Sequence, residues 1–272
     1  MERLLRPVIF PRPVPATYTF DSAYPPLAMV TTRLGSSIPV CLAKDRSLHR
    51  VKPLSILFSH GNAEDLGSLF LWLRDVGFEI DCSIASFDYT GYGISTNPSG
   101  SLPSEQHVYA DAEAALDYLI EQTQPHYIIL WGRSLGSAPT VYLAKRLKEQ
   151  GRPAAGVILQ SPLASVLRVG MSSAMWSWLV SDPARDIFPN LYRLRESRGF
   201  DCPVFVLHGQ SDMIVPCSHG EELYESVPPE HQFPPLFVEG AGHNDLDEVL
   251  VKQGSSVVFH CVRFVAFCVR GG

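Results

Sequence analysis

The sequence lacks the features that mark several large classes of function. Basic residues are outnumbered, since 22 Lys and Arg stand against 28 Asp and Glu, for a formal net charge of −6. Because phosphate backbones are bound by clustered basic surface, we expect no nucleic-acid partner. The nine histidines show no HExxH or related spacing, and no Walker-type or GxGxxG loop is present. We therefore expect no metal and no cofactor.

The sequence also has few marks of secretion or membrane insertion. Its six cysteines are scattered without CxxC spacing, and the opening MERLLRPVIFPRPVP breaks its short apolar pieces with charges and prolines. This opening resembles neither a secretory signal nor a membrane span. The apolar run near the C-terminus is interrupted by His260 and Arg263 and is too short to cross a bilayer. We expect reduced thiols in a cytoplasmic protein, with peripheral membrane contact left open.

The length and composition fit one large α/β domain. The 272 residues are 46% hydrophobic, which is enough to bury a substantial core. Residues 1–26 contain six prolines and predict an extended arm, and residues 27–272 predict a single domain. The arm either packs on the domain, as termini usually do when they are ordered, or docks on a membrane. Membrane docking would use the apolar side chains of Leu4, Leu5, Val8, Ile9 and Phe10.

Apolar runs bounded by turn residues predict strands that alternate with helices. Residues 27–44 alternate apolar and polar side chains and predict an antiparallel hairpin. Further strands are predicted at Leu54–Ser59, Ser83–Phe87, Tyr127–Trp131, Ala155–Gln160, Pro203–Leu207 and Leu236–Glu239, and helices at Ser104–Thr123, Ser137–Lys148, Ser218–Ser226 and Asp245–Cys268. Continuous apolar strands are typical of parallel sheets covered on both faces. The predicted class is therefore α/β, with a mostly parallel central sheet flanked by helices.

The segment GRSLG, residues 132–136, lies between a predicted strand and a predicted helix. A serine between two glycines at such a turn is typical of the nucleophile elbow, which exposes the hydroxyl at the edge of the sheet. The glycines are needed because a Cβ in so tight a turn would collide with the neighbouring backbone. Ser134 is therefore the predicted nucleophile.

Two later loops supply partners for this serine. Asp212 follows the strand that ends in HGQSD, and His243 lies in the glycine-rich loop after the last predicted strand. A serine hydroxyl needs an imidazole to take its proton, and the imidazole needs a carboxylate to orient it. Hydrolases with an elbow carry these groups in the chain order serine, acid, histidine. Because His60 and Asp88 precede Ser134, we predict structural roles for them.

The loop after Leu54–Ser59 predicts half of an oxyanion hole. In hydrolases with an elbow, one backbone N–H comes from this loop and the other from the residue after the nucleophile. The expected donors are the amides of Asn62 or its neighbour Ala63, together with that of Leu135.

Residues 163–196 break the regular alternation of strands and helices and crowd apolar side chains together. One interpretation is a lid in which Met171, Met175 and Trp176 shape a groove for an apolar acyl chain. The other is a helix that packs its aromatic face on the core, because buried aromatic side chains dominate both cores and binding sites.

Several longer segments together resemble the α/β-hydrolases, and more narrowly the α/β-hydrolase-domain-containing 17 group of serine hydrolases. The segments are FPRPVPATY, LFSHGNAEDLG, FDYTGYGIS, GRSLGSAPT, LQSPLASVLRV, HGQSDMIVPCSHG and VEGAGHND. The resemblance implies an α/β-hydrolase fold with a small helical lid insertion, and a Ser134, Asp212 and His243 triad. It also implies removal of palmitate from S-acylated proteins at membranes. Two features depart from the group: its N-terminal cysteine cluster has no counterpart before Cys41, and Arg133 replaces a neutral glutamine.

These observations favour a serine hydrolase that acts through an acyl-enzyme, as a palmitoyl-protein thioesterase. A carboxylesterase or lipase acting on small or lipid esters is the alternative. A non-catalytic binding protein on a hydrolase scaffold is a second alternative, because a fold does not fix a function.

Overall fold

The computed structural model describes residues 6–7, 9–22, 27–43, 54–97, 100, 103–124, 127–170, 175, 182 and 186–270. Eight strands in these ranges form one sheet in the order β1-β2-β4-β3-β5-β6-β7-β8. The strands are β1 Leu27–Thr31, β2 Ser37–Ala43, β3 Leu54–Ser59, β4 Ser83–Phe87, β5 Tyr127–Arg133, β6 Gly156–Gln160, β7 Val204–Gly209 and β8 Leu236–Val238.

The hairpin β1–β2 and the pair β2–β4 are antiparallel, and the pairs β3–β4, β6–β7 and β7–β8 are parallel. The helices are α1 Leu66–Ile80, α2 Glu105–Thr123, α3 Ser137–Glu149, α4 Val166–Val169, α5 Asn190–Glu196, α6 Ser218–Glu225, α7 Leu246–Lys252 and α8 Val257–Arg270. A mostly parallel sheet flanked by helices confirms the predicted α/β-hydrolase fold class.

One predicted helix is wrong. The sequence predicts a single helix from Asp245 to Cys268, but the chain forms α7 and α8 with a bend of 94° between them. Gly254 lies at the break with φ +80°, a left-handed conformation that ends helices and that glycine adopts without strain. No single helix within the described ranges is long and apolar enough to cross a membrane, although the bent pair α7–α8 has the required length and composition.

The chain divides into two compact units, residues 1–129 and 130–272. In the first unit, part of the N-terminal arm packs against the loop after β3. Ile9 and Phe10 are buried, the Asn62 side-chain amide donates to the Ile9 carbonyl at 2.7 Å, and the Ala63 N–H donates to the Pro11 carbonyl at 3.1 Å. The other residues proposed for membrane docking, Leu4, Leu5 and Val8, lie outside the described residues. The arm boundary at residue 26 and the single domain from 27 to 272 stay predictions.

Asp88 and His60 have structural contacts in this first unit. The Asp88 carboxylate accepts hydrogen bonds from the Tyr18 hydroxyl and, at 2.9 Å, from the Leu66 N–H. His60 is fully buried, with Nδ1 2.7 Å from the Gly61 carbonyl oxygen. These contacts tie the arm and the loops after β3 and β4 to one another, which agrees with the bracing role predicted for Asp88.

In the second unit, α8 covers strands β6 and β7 with aromatic side chains. The Phe264 ring lies 5.6 Å from that of Phe205 and 5.1 Å from that of Phe233. A Cβ on Gly156, at the start of β6, would lie 2.6 Å from Cys268 Sγ. Glycine at this position lets the helix approach the strand, and aromatic burial of this kind stabilises the unit.

Candidate active site

The predicted strand, turn and helix around Ser134 are present. β5 ends at Arg133, residues 134–136 form one 3-10 turn, and α3 begins at Ser137. Ser134 has φ +52°, a conformation that non-glycine residues adopt rarely and that clusters at functional sites. A Cβ on Gly132 would lie 2.5 Å from Thr140 Oγ1 and closer still to the Gly136 carbonyl. The tight turn therefore requires glycine at 132.

The side chains of Ser134, His243 and Asp212 form a continuous hydrogen-bonded chain. Ser134 Oγ lies 2.9 Å from His243 Nε2, and His243 Nδ1 lies 2.6 Å from Asp212 Oδ2. The serine and the histidine are 109 positions apart in the chain. Because the carboxylate faces Nδ1, it holds the proton there and leaves the Nε2 lone pair directed at the serine hydroxyl. This arrangement can remove the hydroxyl proton as the oxygen attacks a carbonyl.

Asp212 is buried and fully engaged in hydrogen bonds. Its Oδ1 accepts from the backbone amides of Ile214 at 2.9 Å and Val215 at 2.8 Å. Burial raises the pKa of this carboxyl, but hydrogen bonds from His208, His243 and Val215 lower it further, so the pKa falls well below its usual range. In the folded protein Asp212 is therefore ionised near neutral pH.

Backbone hydrogen bonds hold the loops of the acid and the histidine together. The Gln210 N–H donates to the Val238 carbonyl at 2.9 Å, and the Ser211 N–H donates to the Ala241 carbonyl at 2.8 Å. The Gly242 N–H donates to Asp245 Oδ1 at 2.6 Å, just before α7 begins. The position of His243 relative to Asp212 is thus set by hydrogen bonds that main-chain N–H groups donate on both sides, to backbone carbonyls and to the Asp245 carboxylate.

A buried serine connects the elbow to both ends of the segment predicted as a lid. The Ser137 hydroxyl donates to the Ser134 carbonyl at 2.7 Å and accepts from the Leu163 N–H at 3.2 Å and from Asn190 Nδ2 at 3.3 Å. Asn190 also donates to the Leu163 carbonyl at 2.9 Å. The start and the end of segment 163–196 are therefore fixed directly beside the predicted nucleophile.

Of the predicted substrate-binding residues, Met171 and Trp176 lie outside the described residues. Met175 is described and is 44% exposed. A substrate-binding role for these three side chains stays a prediction, as does the choice between a lid and a core-packing helix. Arg133, which departs from the group pattern, is partly buried, and burial lowers the pKa of its guanidinium.

The predicted oxyanion donors fall into the two units. In the first unit, the Ala63 N–H is occupied, because it donates to both the Pro11 carbonyl and Asn62 Oδ1 at 3.1 Å. Of the two backbone amides predicted from this loop as oxyanion donors, the remaining candidate is that of Asn62. In the second unit, Leu135 is buried in the turn that follows Ser134. The oxyanion hole itself stays a prediction.

One residue that contacts the hydrogen-bonded Ser134, His243 and Asp212 side chains was not predicted from the sequence. His208, the last residue but one of β7, places Nε2 3.1 Å from Asp212 Oδ2. The signal available was a histidine in a buried strand, four positions before the predicted acid. Within the described ranges no three His, Cys, Asp or Glu side chains gather as metal ligands would, and the six cysteines are free.

Comparisons with known proteins point to one family. A profile described as "Serine aminopeptidase, S33" matches residues 53–192, a little over half of the chain. Human alpha/beta hydrolase domain-containing protein 17C is 39% identical over 217 residues, which are 79% of this chain and 58% of that protein. The Caenorhabditis elegans protein aho-3 is 38% identical over 195 residues, which are 71% of this chain and 53% of that protein. The chain thus spans little more than half the length of these relatives.

Solved structures share the fold at low sequence identity. A soluble variant of monoglyceride lipase from Saccharomyces cerevisiae is 18% identical with a TM-score of 0.67, and the match covers 93% of this chain and 99% of that one. An esterase from Pyrococcus furiosus is 17% identical with a TM-score of 0.64, over 88% of this chain and 91% of that one. At this identity the similarity establishes the fold alone.

Proposed function

The chain belongs to the α/β-hydrolase family that the serine aminopeptidase S33 profile describes, and from this membership we propose its chemistry. It is a serine-type hydrolase related to the alpha/beta hydrolase domain-containing 17 proteins. Ser134 is the nucleophile, His243 the general base and Asp212 the residue that orients the base. The observation that carries the proposal is the pair of distances, 2.9 Å from Ser134 Oγ to His243 Nε2 and 2.6 Å from His243 Nδ1 to Asp212 Oδ2.

The proposed reaction proceeds through an acyl-enzyme. Ser134 Oγ attacks the carbonyl carbon of a thioester or ester while His243 Nε2 takes the hydroxyl proton. The tetrahedral intermediate collapses, the bond to sulfur or oxygen breaks, and His243 returns the proton to the leaving group. Water then attacks the acylated serine with His243 again as base, which releases the carboxylic acid and restores the Ser134 hydroxyl. The Leu135 N–H is proposed to donate to the oxyanion.

We propose S-palmitoylated proteins as the substrate class. The resemblance to the α/β-hydrolase-domain-containing 17 group supports this choice. The segments that resemble the group include the elbow and the two loops that supply Asp212 and His243. Such substrates lie at membranes, so the enzyme would work at the cytoplasmic surface of a bilayer. Small or lipid esters are the competing substrates.

A fluorophosphonate probe tests the nucleophile. The wild-type protein is expected to be labelled, and Ser134→Ala is expected to lose all labelling. Ser211→Ala provides a matched control, because this serine is exposed and lies in the acid loop. The proposal fails if the wild-type protein is not labelled, or if Ser134→Ala is labelled as strongly as the control.

A substrate panel separates the two substrate classes. A palmitoyl-thioester peptide is compared with p-nitrophenyl butyrate and p-nitrophenyl palmitate under identical conditions. Higher kcat/KM on the thioester supports the depalmitoylase proposal. Hydrolysis of the esters with no turnover of the thioester would replace it with a carboxylesterase or lipase.

A further inference from the structure

A second imidazole contacts the carboxylate that orients His243. His208 has a fully buried side chain, and its Nε2 lies 3.1 Å from Asp212 Oδ2 and 2.9 Å from the Val215 carbonyl oxygen. The same Oδ2 atom accepts from His243 Nδ1 at 2.6 Å. Asp212 therefore lies between two imidazoles, one on the side of the reacting serine and the other on the side of the core.

The surroundings of His208 fix its tautomer. Nε2 faces two oxygen atoms, neither of which can donate, so the ring proton lies on Nε2 and is shared between them. Nδ1 has no hydrogen-bond partner within the described part of the chain. Moving the proton to Nδ1 would direct a lone pair at a carboxylate and a carbonyl, and would leave Nδ1–H unpaired. His208 is therefore a donor toward Asp212.

Gly220, in the first turn of α6, closes the other side of the ring. A Cβ on this residue would lie 2.6 Å from His208 Nδ1 and 3.3 Å from its Cγ. Any side chain larger than hydrogen would push the imidazole, so the helix can approach β7 this closely only with glycine here. Packing on one side and two acceptors on the other hold the ring in a single orientation.

We propose that His208 is a positioning residue of the active site, which fixes the Asp212 carboxylate so that its Oδ2 faces His243. This proposal rests on the triad of the proposed function and extends it by a fourth member. With two backbone amides on Oδ1 and two imidazoles on Oδ2, the carboxylate cannot rotate without losing hydrogen bonds. His208 takes no part in proton transfer and does not touch the reacting atoms.

Loss of the His208 hydrogen bond should change the pH dependence of the reaction. Three titratable side chains interact with Asp212, namely His208 on β7, His243 after β8 and Cys217 before α6, and His219 on α6 lies close to His208. Burial raises the pKa of Asp212 and the two imidazoles lower it, so removing one imidazole moves that pKa upward. Asp212 stays ionised in these variants, because His243 and the amides of Ile214 and Val215 still donate to it, but a carboxylate with one donor fewer binds the His243 imidazolium more strongly. The acid limb of kcat/KM should therefore move to higher pH.

The test compares four variants of the full chain. His208→Leu fills the space without a donor, and His208→Gln keeps an N–H in reach of Asp212. Gly220→Ala keeps the histidine but displaces it. His219→Leu is the control, because His219 is also a buried histidine at the start of α6 but accepts from the Ala164 N–H instead. Each variant is measured for kcat, KM, the pH profile of kcat/KM and the rate of fluorophosphonate labelling.

His208→Leu and Gly220→Ala are expected to lower kcat by about 10- to 100-fold, the worth of a hydrogen bond to a charged group, with KM unchanged. Both should move the acid limb to higher pH, whereas His208→Gln stays within about threefold of wild type because its donor is retained. His219→Leu should leave the acid limb in place even if it lowers the melting temperature.

The outcomes separate this proposal from the one on which it rests. If the wild-type protein is not labelled at Ser134, the proposed function fails. If it is labelled, and His208→Leu and Gly220→Ala keep wild-type kcat and acid limb, only the role of His208 is overturned. If His208→Leu shows no cooperative melting transition, Gly220→Ala decides: unchanged labelling rate and pH profile overturn the proposal.

Discussion

The substitution Gly209→Ala probes how closely the loops of the acid and the histidine must approach each other. Gly209 is the last residue of β7, three positions before Asp212. An added Cβ would lie 2.6 Å from the Gly242 carbonyl oxygen and closer still to that of Ala241. Both obstacles are backbone atoms of the loop that presents His243, so no side-chain rotation can relieve the clash.

The size of the effect follows from these distances. Ordinary contact begins at 3.4 Å, so the two loops must separate by about 1 Å to clear the Ala241 carbonyl oxygen, the nearer of the two obstacles. A shift of this size would lengthen the 2.6 Å contact between His243 and Asp212 or the 2.9 Å contact between His243 and Ser134. A misplacement of about 1 Å can cost a hundredfold in rate. We therefore expect kcat to fall about 100-fold.

The assay measures ester hydrolysis and thermal melting of the same preparation. Forcing a methyl group into a packed site also lowers the free energy of unfolding by about 1–3 kcal/mol, so activity is read well below the melting temperature. Ser211→Ala is the control, because this exposed serine lies two positions from Gly209 and the substitution adds no group between the two loops. The control should keep both kcat and melting temperature.

A folded Gly209→Ala that retains more than half of the wild-type kcat would contradict this prediction. In that case the contact between the loops would be adjustable, and the backbone hydrogen bonds at Gln210 and Ser211 would not set the position of His243. An equal loss of activity in Ser211→Ala would also contradict this explanation.

Two further predictions concern stability. Burial raises the pKa of Asp111 to about 7, so the unfolded chain loses this proton near pH 4 while the folded chain keeps it to about pH 7. Wild-type stability should therefore fall between pH 4 and 7 relative to Asp111→Asn; melting temperatures that run parallel across this range would contradict it. Ser137→Ala should lower the free energy of unfolding by about 1–3 kcal/mol, because it leaves the buried Leu163 N–H without an acceptor. Urea titration measures this, and a change no larger than that of Ser211→Ala would count against it.

Much of the fold could be predicted from local sequence pattern. The strands Leu54–Ser59 and Ser83–Phe87 occur with the predicted bounds, because a short apolar run between turn residues has few other ways to bury its side chains. The elbow could be predicted in the same way, because the residues that form the turn, from Gly132 to Gly136, are adjacent in the sequence. The break at Gly254 was missed because apolar spacing continues on both sides of it, and one glycine in a periodic helix is often tolerated.

By itself the sequence determined the α/β class, the elbow and the chain order of Ser134, Asp212 and His243, because each strand, turn and motif behind these conclusions is a pattern among near neighbours in the chain. Only the tertiary structure decided that His243 lies 2.9 Å from a serine 109 positions away, and that His208 lies between Asp212 and Gly220. No local pattern encodes these contacts, since they arise where strands and helices distant in sequence are packed together, and packing fixes distances that spacing along the chain does not.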